Sequence, residues 1–358
     1  MRIVFCCVAF VGLSLFGGAA SAGDLDSAYL RGSRAYDVAQ SYQVEPAYPS
    51  SGYAPPPNAP VMATTPAALG FSFEAGARYW YSSGKLSKNL YDDARFSSDM
   101  VSRLTYDGLS SHAFEGFGRI NFPNSVFLKG FAGLSGLSKG TLNDEDFPPL
   151  TFPYSSTMSQ QSGGRLNYAV ADLGYTFTTT ANTSISLFAG YSYVAEKVNA
   201  YGCTQVGSNP FICVPPIPGS VLAITEDATW HAARLGIGVE YRPIDRLTLS
   251  MEAAWLPFVQ MSSFDTHWLR LGSTFGSFSG PISQTATGTG FQLEALLAYQ
   301  VWDCFNIGLG GRYWRFDARG FADLEQAIVG AVSPVSQPID FTSERYGVFL
   351  QGSYKFNL

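Results

Sequence analysis

The stretch Ser184-Ile185-Ser186-Leu187-Phe188-Ala189-Gly190-Tyr191-Ser192-Tyr193-Val194 decides the fold. Side chains alternate sides along a strand. Ile185, Leu187, Ala189, Tyr191 and Tyr193 therefore share one face, and Ser184, Ser186, Gly190 and Ser192 the other, with Phe188 as the exception. The same scheme recurs twice downstream. Leu247, Leu249, Met251, Ala253 and Trp255 oppose Thr248, Ser250, Glu252 and Ala254; Phe291, Leu293, Ala295, Leu297 and Tyr299 oppose Gln292 and Glu294. Apolar residues on one face and small or polar ones on the other form the pattern of a strand that shows lipid one side and a lumen the other.

Working outward, the alternation runs from Gly70 to the end and is cut by turn signals. Pro123-Asn124, Thr180–Asn182, Pro243–Asp245 and Trp302–Cys304 read as short connections. Residues 84–97, 141–160, 201–226, 265–287 and 320–341 read as long ones. Short and long alternate strictly, as in outer-membrane barrels with periplasmic turns and long outer loops. The expectation is an all-β, ten-stranded antiparallel transmembrane β-barrel, with both ends in the periplasm. Its strands fall near 70–83, 98–122, 125–140, 161–179, 183–200, 227–242, 246–264, 288–301, 305–319 and 342–358. Many exceed the roughly 9–11 residues that a tilted strand needs to cross a bilayer, so the wall should rise above the outer leaflet. Leu350, Tyr354, Phe356 and Leu358 share a face of the last strand. That face resembles the signal read by the barrel-assembly machinery, an expected partner.

The flanking segment and the composition agree. Residues 1–22 read as a signal peptide: Arg2, an apolar run from Ile3 to Phe16, and Ala20-Ser21-Ala22 as the cleavage site before Gly23. Residues 23–69 carry Pro46, Pro49, Pro55, Pro56, Pro57, Pro60 and Pro66 among Tyr, Ala and Ser, and read as a disordered periplasmic segment. The barrel is residues 70–358. The chain is 46% hydrophobic and 15% aromatic but only 14% charged, against roughly 25% charged in soluble domains. No later run is long enough for a membrane helix. A net charge of −6 argues against nucleic acid as a partner. Cys203 and Cys213 flank a Pro-containing stretch and form a natural disulfide pair in an oxidising compartment, leaving Cys304 outside that pair.

Two clusters carry chemistry. Asn143-Asp144-Glu145-Asp146 lies in the second long loop, and Ser263-Phe264-Asp265-Thr266-His267 opens the fourth. Residues two apart on an extended chain face the same side, giving a carboxylate couple, Asp144 and Asp146, and a carboxylate–imidazole dyad, Asp265 and His267. A carboxylate beside His orients the ring and favours its charged form, making a general base. Two facing acids could hold a water. The plainer reading is that both are solvated acidic loop residues. His112 and His231 sit within strands and read as wall or lumen residues, and the six Trp as interfacial girdles. No Gly-rich phosphate loop, serine elbow or Cys/His metal spacing is present.

The barrel resembles the omptins, ten-stranded outer-membrane endopeptidases. Beyond the two acidic clusters, the resemblance rests on Ser83-Gly84-Lys85, Val101-Ser102-Arg103-Leu104, Leu166-Asn167-Tyr168-Ala169 and Ala189-Gly190-Tyr191. It implies that Asp265 and His267 activate water opposite the Asp144/Asp146 couple, with peptides or proteins as substrates. It implies no cofactor beyond a requirement for lipopolysaccharide, and a monomer among outer-membrane lipids. Two departures stand out. Omptins that cleave beside Arg or Lys use a loop 1 acid and another acid two residues before the dyad Asp; here these positions fall near Lys88 and Asn89, and on Ser263. The strand 5 lipopolysaccharide cluster is shifted, with Glu196 and Lys197 nearby. The competing reading is a non-catalytic barrel, an adhesin or structural surface protein; a small-solute channel is disfavoured by the strand count.

Overall fold

The computed structural model describes residues 71–92, 99–147, 153–178, 180–274, 276–324, 328–330 and 336–357. Residues 1–22, read as a signal peptide, and the Pro-rich residues 23–69 lie wholly outside them, as does Gly70. Ten strands form: β1 Ser72–Tyr91, β2 Met100–Asn121, β3 Val126–Asp146, β4 Ser155–Thr178, β5 Thr183–Gln205, β6 Ile217–Ile244, β7 Leu247–His267, β8 Ile282–Trp302, β9 Phe305–Asp323 and β10 Ser336–Asn357. Each pairs antiparallel with its sequence neighbours, and β1 closes on β10, where Ser72 faces Asn357. Closure leaves no edge, so every strand finds backbone partners on both sides.

A belt of exposed apolar side chains encircles the wall, including Tyr79, Phe114, Leu134, Leu173, Leu187, Leu235, Ile237, Met251, Trp255, Leu293, Leu309, Val348 and Leu350. No helix among the described residues is long and apolar enough to cross a membrane; the belt makes this barrel a membrane-spanning one that crosses with strands. Inside it, the lumen is closed by charge pairs. Arg312 bonds Glu115 at 2.7 Å and Glu294 at 2.7 Å, and Arg78 pairs with both at 3.0 and 3.2 Å. Arg234 holds Asp172 at 2.9 Å. Trp80, Trp314 and Tyr168 pack above them, with ring centroids 4.9–5.5 Å apart. Three tryptophans expected in the interfacial girdle, Trp80, Trp230 and Trp314, are therefore buried in the lumen, while Trp255, Trp268 and Trp302 are exposed. Alternation places residues on a face but does not say which face meets lipid once the wall leaves the bilayer.

The strands run further outward than alternation of apolar-out residues suggests. β1 reaches Tyr91, β3 reaches Asp146, β4 begins at Ser155, and β6 begins at Ile217. Much of what read as loop is wall. Above the belt the polarity inverts: Lys85, Ser87 and Asn89 point out while Leu86, Lys88 and Leu90 point in and are buried. Water outside and a packed interior demand that reversal. A bulge at Asp107–Ser110 sets the phase of β2. Gly108 takes φ +65 there, a conformation that glycine adopts without cost. Below the bulge Ser111, Ala113 and Glu115 face in; above it Leu104 and Tyr106 do. A disulfide joins Cys203 and Cys213 at the outer end of β5, with Cα atoms 5.7 Å apart.

Candidate active site

Above the aromatic layer, the inward face of the extended wall carries Leu86, Leu90, Leu104, Leu142, Met261, Ile339 and Phe341, all buried. On this apolar floor stand the polar groups of the site. Asp144 and Asp146 end β3, and Asp265 and His267 end β7, so both pairs sit on strand extensions rather than on loops. Each pair shares the inward face. The site lies beyond the continuous lipid belt: on β7 the outward face turns polar after Phe258, at Gln260 and Ser262, before a single exposed Phe264 beside Asp265, and on β1 the exposed tyrosines end at Tyr81, seven residues before Lys88.

His267 Nε2 lies 3.2 Å from Asp265 Oδ2. The same oxygen accepts from Lys88 Nζ at 2.5 Å, and Lys88 Nζ also donates to Glu226 Oε2 at 2.7 Å. Glu226 stands directly opposite Asp265 in the β6–β7 register. Lys88, Glu226 and Asp265 are at most 2% exposed. The other carboxylate oxygens, Asp265 Oδ1 and Glu226 Oε1, are buried without a hydrogen-bond partner, as is the Tyr106 hydroxyl on β2. The His267 ring packs on Phe278, 5.4 Å between centroids, and Arg270 lies over the same phenyl ring at 4.3 Å. Trp268 Nε1 donates to Thr225 Oγ1 at 2.9 Å, fixing the short helix Trp268–Arg270 that follows the dyad.

The electrostatics follow from burial and from these neighbours. Burial would raise the Asp265 carboxyl, but His267 and Lys88 reverse this and hold it well below the usual carboxylate range. Burial would lower His267; Asp265, with help from Asp144, raises it instead. Burial pushes Asp144 up to about 7, reinforced by Asp146 and Asp265 and opposed by His267 and Lys88. Burial also raises Asp146, against Ser102, Arg270 and His267. Lys88, which burial alone would lower, is held above its ordinary value by Asp265 and Glu226. Glu226 is raised by burial against the pull of Lys88. The mutual influence of Asp144 and His267 means that β3 and β7 bring the two pairs within electrostatic reach across the mouth. Chemically this is an ionised Asp265 holding one imidazole nitrogen, the other nitrogen remaining to take a proton, and an Asp144 carboxyl raised to about 7 so that it is part protonated near neutral pH.

Sequence reasoning singled out Asp144, Asp146, Asp265 and His267. It did not find Glu226, which read as the last residue of a loop, nor Tyr106. Their signal is positional: Glu226 sits opposite Asp265 only once the register is known. Lys88, read as a missing acid on a loop, is on β1 and inside the site. His112 and His231 face outward, each beside two tyrosines; Tyr79 Oη lies 2.6 Å from His112 Nδ1, and Tyr191 bonds His231. Glu196 is in the lumen, paired with Arg345. A cavity of about 400 Å³ lies at the opposite, short-turn end of the lumen, between Glu74, Arg119, Lys129 and Arg242, remote from these groups.

No protein-family model matches the sequence, and no curated protein matches it. Among solved structures, the outer membrane protease OmpT of Escherichia coli superposes with a TM-score of 0.61 at 16% identity, over 80% of this chain and 97% of that one. OprG of Pseudomonas aeruginosa gives 0.30 at 10% identity, over 81% and 96%; Ail of Yersinia pestis gives 0.24 at 8%, over 79% and 98%. The chain is a ten-stranded barrel of the bacterial outer membrane.

Proposed function

We propose that this barrel is an omptin-like endopeptidase that hydrolyses peptide bonds at the cell surface. The observation that supports it most directly is the Asp265–His267 pair, 3.2 Å apart on the inward face of β7, with Asp144 of β3 within its electrostatic reach. In this reading Asp265 holds the His267 ring. The free imidazole nitrogen takes a proton from a water that Asp144 and Asp146 position. The water oxygen bonds to the carbonyl carbon; the carbon–nitrogen bond then breaks as the leaving amine receives the proton back from His267. No covalent intermediate and no metal are required. Lipopolysaccharide and outer-membrane lipids are the surrounding partners, peptides or proteins the substrates, and the barrel acts as a monomer placed by the barrel-assembly machinery.

A non-catalytic surface barrel is the second reading, and one observation favours it. Lys88 shares the very oxygen that His267 contacts, which weakens the hold of Asp265 on the imidazole. The two separate in one experiment. The purified barrel, reconstituted with lipopolysaccharide, is incubated with an unbiased peptide library, alongside His267→Ala. Cleavage by wild type and its loss in the variant support the endopeptidase. A wild type that cleaves nothing, or a variant as active as wild type, leaves the non-catalytic barrel.

A further inference from the structure

Lys88 does not sit in the site as a surface lysine would. It projects inward from β1, while Glu226 and Asp265 come from β6 and β7, five and four strands away around the barrel. Its ammonium bridges them at 2.7 and 2.5 Å, with every partner buried. A buried ammonium survives only with such counter-charges. The site also offers more than this lysine uses: Glu226 Oε1 and Asp265 Oδ1 are buried acceptors without a partner. An ammonium carries three donors, of which two are accounted for. The arrangement is a receptor for a primary ammonium, and it lies one hydrogen bond from His267.

We propose that Glu226 and Asp265 form an ammonium-binding subsite whose resident occupant is Lys88, and that Lys88 thereby excludes cationic substrate side chains from the centre beside the dyad. The second half rests on the endopeptidase reading; the first does not. A substrate lysine or arginine entering here meets Lys88 Nζ instead of free carboxylates, so its lost hydration has no compensation. Side chains without charge are accepted. Truncating Lys88 vacates a space of known chemistry: three methylenes and an ammonium, which is n-propylammonium.

The test uses the full-length barrel reconstituted with lipopolysaccharide, as wild type, Lys88→Ala and Lys88→Met. Thermal unfolding is followed with n-propylammonium or with 1-propanol, its neutral counterpart. Expected is a lowered midpoint for Lys88→Ala that n-propylammonium raises and 1-propanol does not, by mass action on the folded state. Wild type and Lys88→Met, whose site is filled, should not respond. If Lys88→Ala fails to fold alone, the refolding yield with each additive is the readout. Equal response to both additives, or to neither, overturns the subsite. On the peptide library, wild type should avoid Lys and Arg at the scissile bond. Lys88→Ala should shift toward Lys by roughly tenfold or more, and n-propylammonium should suppress that shift. A wild type that favours dibasic sites, or a cleaving Lys88→Ala with an unchanged profile, overturns the exclusion role. A wild type that cleaves nothing overturns the endopeptidase reading while leaving the thermal result to decide the subsite.

Discussion

Replacing Asp265 by Asn keeps the shape of the side chain and removes its charge, and the consequences can be worked through the site. Asp265 Oδ2 accepts from both Lys88 and His267. Asn keeps a carbonyl oxygen for one of them. Lys88 retains Glu226 at 2.7 Å, so the barrel should fold, with a lowered unfolding midpoint because one buried counter-charge is lost. His267 loses the neighbour that raises it, and burial, which lowers it, prevails. A general base must be neutral to act. In wild type, activity should therefore rise with pH through a His267 value above the ordinary 6.5, with Asp144, raised to about 7, adding a second titration to the profile. In Asp265→Asn the His267 limb moves to lower pH. The rate nonetheless falls roughly 10²–10⁴-fold, about 2.7–5.4 kcal/mol of barrier, because the ring is no longer oriented or its charge stabilised. The assay is the pH–rate profile of a cleavable library peptide on both proteins, with folding checked by gel shift. A variant with wild-type rate, or with a slow rate and an unmoved acid limb, would refute the role given to Asp265.

His267→Ala should lose most activity and His112→Ala little, since His112 faces outward beside Tyr79 and Tyr81; equal losses would contradict the site. Stability should depend on pH with opposite signs at two groups. Asp265, held low, contributes stability that is present above its unfolded value and lost as pH falls; Asp144, raised to about 7, loses its protonated folded form and destabilises as pH rises through that value. Asp144→Asn should therefore remove the fall in stability between the ordinary carboxylate value of 3.8 and about 7. Cys203→Ser should cost about 2.8 kcal/mol by loop-closure entropy over the span between the cysteines, read by denaturant unfolding. Glu115→Gln, which strips Arg312 of a buried partner at 2.7 Å, should cost about 3–5 kcal/mol, and the intact lumen should conduct no ions across a planar bilayer.

What was legible in the sequence follows physical contrast. Where lipid lies on one side and a polar lumen on the other, as over Ser184–Tyr193 or Leu247–Trp255, alternation is strong and the strands are plain. Strand count and order follow from the turn spacing. The outer third was read as loop because the contrast there inverts: Leu86 and Leu90 turn inward and Lys85, Ser87 and Asn89 outward. The alternation persists, with no lipid to announce its direction. The bulge at Gly108 adds a phase slip that a strict period of two cannot follow. For the same reason the dyad and the couple could be named from their spacing, whereas Lys88, Glu226 and Tyr106 could not. Their roles depend on which strands meet across the lumen, and that is fixed by closure rather than by neighbours in sequence.

The inversion also explains why a chemical site can exist at this height. On open loops, Asp144, Asp265 and His267 would be hydrated and their charges screened. Extending the closed wall past the bilayer pairs the backbone without lipid and lets apolar side chains turn inward, so the polar groups stand over Leu104, Leu142, Met261 and Phe341 instead of over water. Burial then raises Asp144 and makes the pairing of Asp265 with His267 and Lys88 strong. The same burial obliges the wall to supply a counter-ion for Glu226 and Asp265. A site of this construction has two ways to meet that need: a cation brought by the ligand, or a resident one. This chain supplies Lys88 itself, so the carboxylates stay compensated when nothing is bound, and the cost of removing charge from water is met during folding rather than at each encounter with a ligand. On the endopeptidase reading, a centre so balanced would select what approaches it by shape and apolar contact, and Trp268, Leu269 and Leu271 stand exposed beside it.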